Sequence, residues 1–202
     1  MQILKLEQNT DEWLEARKGK ITGSKLKDIV VKRGTGKKIG FYQLIADKLS
    51  IEDNSEDVME RGHRLELEAI ELFSEKTGIK VNTDVGLCFS DENPNIALSP
   101  DGLIGKNNNE AVEVKCLSAS RHLEAYFEQK IPDEYEFQKL QYFIVNEKLE
   151  KLYFVFYDPR VTVLPIFWIE VKREEVEEDI KMYLDYQKNV LKEVDELIAQ
   201  LY

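Results

Sequence analysis

Ser99-Pro100-Asp101-Gly102-Leu103, followed after a turn by Ala111-Val112-Glu113-Val114-Lys115-Cys116, is the stretch whose reading decides the fold. Side chains alternate between the two faces of a strand, so Val112, Val114 and Cys116 point into a core while Glu113 and Lys115 point together the other way. The run Lys106-Asn107-Asn108-Asn109 has the composition of a hairpin turn. It folds the preceding strand, residues 97–103, back against 111–116 and brings Asp101 beside Glu113. Two adjacent carboxylates repel, and each resists ionising unless a cation lies between them. Magnesium suits such a pair, because it is hard and prefers carboxylate oxygen, water and phosphate; manganese can substitute. The plainer reading of either segment alone is an amphipathic strand with a solvated face, or an Asp-Gly turn. Their pairing favours a site.

Two helices each add one polar residue that is out of place. The segment 60–77 has helical periodicity and is closed by Gly78. Its apolar arc contains Leu65, Ala69, Ile70, Leu72 and Phe73, and Glu66 falls inside that arc, whereas Glu68, Glu71 and Glu75 lie on the solvent side. A glutamate aimed at a core is costly unless something pairs with it, so Glu66 is a candidate near or on a metal. A helix after Pro132, over about 134–146, repeats the pattern. Phe137, Leu140, Ile144 and Val145 mark its buried arc, Gln141 projects within it, and Gln138 lies farther out. At the start of the chain a helix over 11–18 ends at Arg17, and the next begins near Ser24. A hydroxyl at a helix start beside a guanidinium forms an anion site, which Ser99 and Arg121 join if the fold brings them there.

A further helix is expected over about 39–50, and strands over 84–89, 96–98, 102–105, 111–116, 151–157 and 165–171. An acidic helix runs from 174 to the C-terminus, with Val176, Ile180, Tyr183, Val190, Val194, Leu197 and Leu201 on one stripe. This order describes an α/β domain with a mixed central sheet flanked by helices, with no repeat and no linker dividing residues 1–202. The C-terminal helix packs on the core or on a neighbouring subunit.

Composition leaves function open. The chain has 39 acidic against 28 basic residues, a net charge of −11, which argues against a passive nucleic-acid coat but not against an enzyme with a local basic groove. The basic loop containing Lys32, Arg33, Lys37 and Lys38 could line such a groove or be a solvated surface. Two cysteines, Cys88 and Cys116, are too few for a disulfide framework or a four-thiolate metal site, and Cys116 is expected to be a buried thiol. No secretory h-region or membrane-length apolar run is present, so a reducing cytoplasm is expected.

Taken in order, several motifs resemble the phage lambda exonuclease family, the YqaJ-type viral recombinases within the PD-(D/E)xK nuclease superfamily. They begin with Trp13-Leu14-xx-Arg17-x-Gly19-x-Ile21-Thr22-x-Ser24 and Gly62-xxx-Glu66. Ser99-Pro100-Asp101-Gly102, Glu113-Val114-Lys115-Cys116 and Ser120-Arg121 follow, then Gln141-Tyr142 and Tyr157-Asp158-Pro159-Arg160. The resemblance implies a restriction-endonuclease-like core and 5′→3′ digestion of one strand of linear duplex DNA, leaving a 3′ overhang. It further implies a homotrimeric ring, a single-strand annealing protein as partner and a phage or prophage setting. By the same resemblance Asp101, Glu113 and the Val114 carbonyl hold magnesium, with two ions per site, and Lys115 positions or activates water. Glu66 and Gln141 lie close to the metals and nucleophile, and Arg17, Ser24, Ser99 and Arg121 receive a terminal 5′-phosphate. The rival readings are an endonuclease of the same fold and a catalytically silent DNA-end-binding module; the intact Asp101, Glu113 and Lys115 argue against the second.

Overall fold

Central strands in α/β sheets are covered on both faces and read as nearly continuous apolar runs, and Lys151–Tyr157 (KLYFVFY) is such a run. The computed structural model describes residues 1–32, 37, 38, 40, 41, 44, 59–117 and 119–201. Among these, β2 (Val81–Asn82), β5 (Gly102–Ile104), β6 (Glu110–Lys115), β7 (Lys151–Tyr157) and β8 (Ile166–Lys172) form a five-stranded sheet in that order. The β6–β7 pair is parallel and the other three are antiparallel, so the sheet is mixed as expected. A smaller sheet holds β1 (Gln2–Leu4), β3 (Leu87–Phe89) and β4 (Ala97–Leu98) in the order β1-β3-β4. The separate strands expected over 96–98 and 102–105 are thus β4 and β5, and they lie in different sheets, so 97–103 is not the single strand that the hairpin reading takes it for. The chain leaves one sheet at Leu98 and enters the other at Gly102, turning at Ser99-Pro100-Asp101, where proline has no N–H to give a ladder. The strands β1 and β2, three and two residues long, were not anticipated, because so short a run carries no readable alternation.

The helices are α1 (Asp11–Arg17), α2 (Gly23–Leu26), α3 (Met59–Thr77), α4 (Ala119–Glu128), α5 (Glu136–Val145) and α6 (Glu177–Ala199). The helix expected over 39–50 lies mostly outside the described residues. Alternation on the central strands divides the core in two. Val112, Val114, Tyr153, Val155 and Tyr157 face Ala69, Ile70 and Phe73 of α3. Ala111, Leu152, Phe154 and Phe156 face the opposite side, with Leu26 of α2, Leu140 and Phe143 of α5, and Val190 and Val194 of α6. Both faces of β6 are thus covered, and Glu113 is enclosed.

The end of α3 follows the reading of Gly78: its φ is +73°, and its N–H closes on the Ser74 carbonyl at 2.8 Å. Along the same helix Glu68 departs from expectation; it is half-buried and accepts the Tyr157 hydroxyl at 3.3 Å. On α6 the stripe buries Ile180, Val190 and Val194 but leaves Leu197 and Leu201 exposed. Cys116 lies just past β6 and is exposed, because the strand ends at Lys115 and the alternation that would have buried it stops there. No helix among the described residues is long and apolar enough to cross a membrane.

The C-terminal end of α5 is closed by a cation. Arg173 donates Nη2 to the Phe143 and Asn146 carbonyls and Nε to the Leu149 carbonyl, all at 2.7 Å. The Asn146 carbonyl also accepts the Leu149 N–H at 3.0 Å, and positive charge is favoured at such a helix end. Arg173→Met keeps the apolar stem and removes the donors. It is expected to lower stability by about 2–3 kcal/mol, given the worth of hydrogen bonds to a charged group. Urea denaturation should show the loss as a lower midpoint with an unchanged slope.

Candidate active site

The hairpin register places the carboxylates. Gly102 pairs with Val112, so Asp101 stands at the mouth of β5 opposite Glu113, and its Oδ2 accepts the Val114 N–H at 2.7 Å. Glu113 is only 1% exposed and depends on its neighbours for charge compensation. Lys115 Nζ lies 2.5 Å from Glu113 Oε1, Gln138 Nε2 donates to the same oxygen, and the Tyr142 hydroxyl donates to Oε2. That hydroxyl accepts the Asp101 N–H at 3.2 Å and lies 3.1 Å from the Val112 carbonyl. One phenol therefore ties the backbone of one acid to the side chain of the other.

The site is short of positive charge. Burial first, then Glu113 and Glu66, push the Asp101 carboxyl well above the usual carboxylate range, against the opposing pull of Lys115 and the Val114 N–H. For Lys115 burial favours the neutral amine, but Glu113 and Asp101 outweigh it and hold the ammonium above its ordinary value. Burial, Glu113 and Asp101 likewise raise the Tyr142 phenol well above its usual range, so it stays a donor. Among the described residues no three His, Cys, Asp or Glu side chains converge into a closed ligand cage. A hard divalent cation still fits. Asp101 and Glu113 offer carboxylate oxygen to the same cavity, with room for water or phosphate to complete a shell, as magnesium prefers. A carboxyl that holds its proton more tightly than usual is what such a donor set shows without its cation.

The anion corner shares the cavity. Arg17, the last residue of α1, lies over the Trp13 ring at 4.0 Å and donates Nη1 to Ser99 Oγ at 3.1 Å. Its Nη2 reaches Thr22 Oγ1 at 3.4 Å and Ser24 Oγ at 3.5 Å. Burial lowers the Arg17 guanidinium to about 10, with Glu113 and Asp101 pulling the other way; it remains charged at neutral pH. Arg17, Ser24, Ser99, Asp101, Glu113 and Lys115 all line one cavity of ≈ 230 Å³, which Glu66 and Gln138 complete. Glu66 and Asp101 also form a wall of a neighbouring cavity of ≈ 450 Å³. The structure thus gathers seven of the expected site residues around that one cavity.

Others lie elsewhere. Gln141 is fully buried, and its Nε2 donates to the Ile21 and Ala97 carbonyls at 3.0 and 3.2 Å. It also exchanges hydrogen bonds with Gln187 of α6 at 3.2 and 3.0 Å. Its amide is satisfied inside the protein, not at the cleft. It ties together the segments that lead to Ser24 and Ser99. The cleft amide is Gln138, and the missed residue is Tyr142. These two are four apart and share a helix face, a spacing that could have revealed them. Gly23 makes the close approach of α2 and α5 feasible: a Cβ there would lie 3.2 Å from Gln138 Cγ. Arg121 is exposed on α4 and turned away, paired with Glu124 at 3.0 Å and Glu134 at 2.7 Å. Two nearby carboxylates hold it outside the anion corner. Of the basic loop, Arg33 lies outside the described residues, Lys32 sits over Phe137, Lys37 pairs with Glu193, and Lys38 donates to the Lys27 carbonyl. None of these three lines the cavity.

A mixed sheet that presents Asp101, Glu113 and Lys115 at one cleft defines a deoxyribonuclease of PD-(D/E)xK architecture. The chain belongs to the family of the YqaJ-like viral recombinase domain, whose model matches residues 12–148. Among solved structures it is similar to an alkaline exonuclease, LHK-Exo, from Laribacter hongkongensis. The TM-score is 0.74 at 26% identity, over 96% of this chain and 100% of that one. The same protein in complex with dAMP matches with a TM-score of 0.73 at 26% identity and the same coverage. A phage-related exonuclease from Haemophilus somnus 129PT shares the fold, with a TM-score of 0.63 at 15% identity over 91% of this chain and 96% of that one. No curated protein sequence matches. The family and these neighbours make the chain an exonuclease-type enzyme.

Tyr142→Phe removes one oxygen and no packing volume. Because the residue acts by holding Asp101 and Glu113, turnover on DNA should fall roughly 10- to 100-fold, the usual cost of losing a group that orients metal ligands. The circular-dichroism spectrum should be unchanged. Turnover equal to the parent would show that the phenol holds nothing the reaction uses.

Proposed function

We propose that residues 1–202 form a single magnesium-dependent exonuclease domain that degrades the 5′-ended strand of linear duplex DNA and leaves 3′ overhangs. The observation that carries this reading is the shared cavity: a guanidinium and two hydroxyls for an anion, beside two carboxylates and a lysine. Arg17 with Ser24 and Ser99 would receive the terminal 5′-phosphate through charge-assisted hydrogen bonds. Asp101 and Glu113, with the Val114 carbonyl and Glu66 close by, would hold the cation or pair of cations. Bound magnesium would supply Lewis-acid neutralisation of the scissile phosphate and make water more acidic, the usual service of metal ions in phosphodiester hydrolysis. Lys115, charged and fixed to Glu113, orients the attacking water as a point donor. Gln138 and Tyr142 keep the Glu113 carboxylate in register while charge shifts. Likeness to the family extends the proposal to a homotrimeric ring, a single-strand annealing partner and action in the cytoplasm of a phage's host.

The test is digestion of linear duplex DNA carrying 5′-phosphate or 5′-hydroxyl ends, with magnesium or with chelator. Loss of the 5′-ended strand only with magnesium, faster on phosphorylated ends, is expected. Arg17→Ala should remove the preference for phosphorylated ends, and Lys115→Ala should slow cutting at least about 100-fold, the low end for a positioned proton-transfer or orienting group. Efficient cutting of closed circles would instead mark an endonuclease.

A pH profile gives a separate check. The Asp101 carboxyl is pushed up, so at low pH it is protonated and cannot serve a cation. At limiting magnesium, activity should rise with pH, and added magnesium should shift that rise to lower pH by competing with the proton. A profile indifferent to magnesium concentration would exclude Asp101 as a ligand.

A further inference from the structure

The strands β6 and β7 run parallel and finish together, with Lys115 opposite Phe156. In open α/β sheets ligands collect at the carboxyl ends of such strands. One residue beyond β7 the chain enters Asp158-Pro159-Arg160, part of a motif to which the chemistry above assigns no role. Asp158 is 1% exposed, and its backbone is closed by its own N–H on the Pro165 carbonyl at 2.9 Å and by Val161 on its carbonyl at 3.1 Å. Its carboxylate takes a two-pronged contact from Arg160, Nε to Oδ1 at 2.8 Å and Nη2 to Oδ2 at 2.9 Å. The Arg160 main-chain N–H adds a third bond to Oδ1 at 3.0 Å. The same Nη2 reaches the Leu117 carbonyl at 3.4 Å, two residues past Lys115.

The result is an oriented pair, with the anion buried and the cation 63% exposed in front of it. Arg121 shows the usual alternative in an acidic chain, a guanidinium neutralised by two carboxylates as exposed as itself. For Arg160 one edge of the planar fork is spent on anchoring. The Nη1 edge, with two N–H groups, meets no acceptor among the described residues. Little side-chain entropy remains to be lost when an anion arrives, because the fork is already fixed.

We propose that Arg160, anchored by Asp158, is a contact for a backbone phosphate of the DNA strand that crosses the carboxyl ends of β6 and β7. The proposal rests on the nuclease reading and adds a binding point apart from the terminal-phosphate corner. It is tested by fluorescence anisotropy with a 5′-phosphorylated duplex in chelator, so that nothing is cut, over 50–200 mM salt. Arg160→Gln should weaken binding about 3- to 10-fold and make log Kd against log salt shallower by roughly one half to one, the signature of a lost phosphate contact. Its melting temperature should fall, because the buried Asp158 keeps only the main-chain N–H of residue 160, but it should stay above the assay temperature. Arg160→Lys keeps the charge without the fork, and should recover part of the affinity at the lowest salt. An unchanged affinity and salt slope in Arg160→Gln, with parent protein that binds, overturns the contact alone. So does a Lys variant as impaired as the Gln variant with a lowered melting temperature, which would make the pair a loop staple. Parent protein that neither binds duplex DNA in chelator nor cuts it in magnesium would sink the nuclease reading itself.

Discussion

A carboxylate with 1% of its surface exposed, on a strand covered on both faces, has to be compensated or neutralised, and the cost of leaving it bare is several kcal/mol. Glu113 is in that position, and the surroundings of the cleft answer it. Lys115 supplies opposite charge from the same strand face, while Gln138 and Tyr142 supply donors from α5. Because those donors sit four residues apart on one helix, α5 must lie over β6 at a fixed rotation. That rotation in turn presses α5 against Gly23 and directs Gln141 away, toward Ile21, Ala97 and Gln187. The chemistry of one side chain thus sets the docking of a helix.

The electrostatics follow the same logic. Asp101, Glu113 and Glu66 crowd one wall; burial first, and then the two neighbouring carboxylates, raise the Asp101 carboxyl against the pull of Lys115. Such a wall is unfavourable by itself and becomes favourable when a divalent ion arrives. Stability and activity are coupled there, as they are wherever a folded site holds unneutralised charge. Elsewhere the two faces of the sheet are packed with aromatic rings, Phe156 stacked on Phe167 at 4.8 Å on one and Phe73 against Tyr153 and Trp168 on the other.

Much of this was legible in the residues. Period-two alternation correctly set Glu113 and Lys115 on one face, and the asparagine-rich turn correctly folded Asp101 back to them. The order of helices and strands followed from apolar periodicity and from Gly78. What escaped reading depended on packing partners. The α5 arc holds two amides and a phenol, and only the location of β6 decides that Gln138 and Tyr142 meet Glu113 while Gln141 meets backbone carbonyls. Arg121 was misjudged because its partners, Glu124 and Glu134, lie on a helix and on the turn before α5, and no local pattern shows them converging. Cys116 was expected to continue a strand that stops one residue earlier.

The switch of the chain between its two sheets has a metrical consequence. Ser99 belongs to the anion corner and Asp101 to the carboxylate wall, and only Pro100, whose φ is fixed by its ring, lies between them. Two residues span at most about 7 Å. The backbone distance between these two residues is therefore bounded by the covalent chain. In the proposed reaction that short tether would keep the grip on the strand end close to the point of cutting.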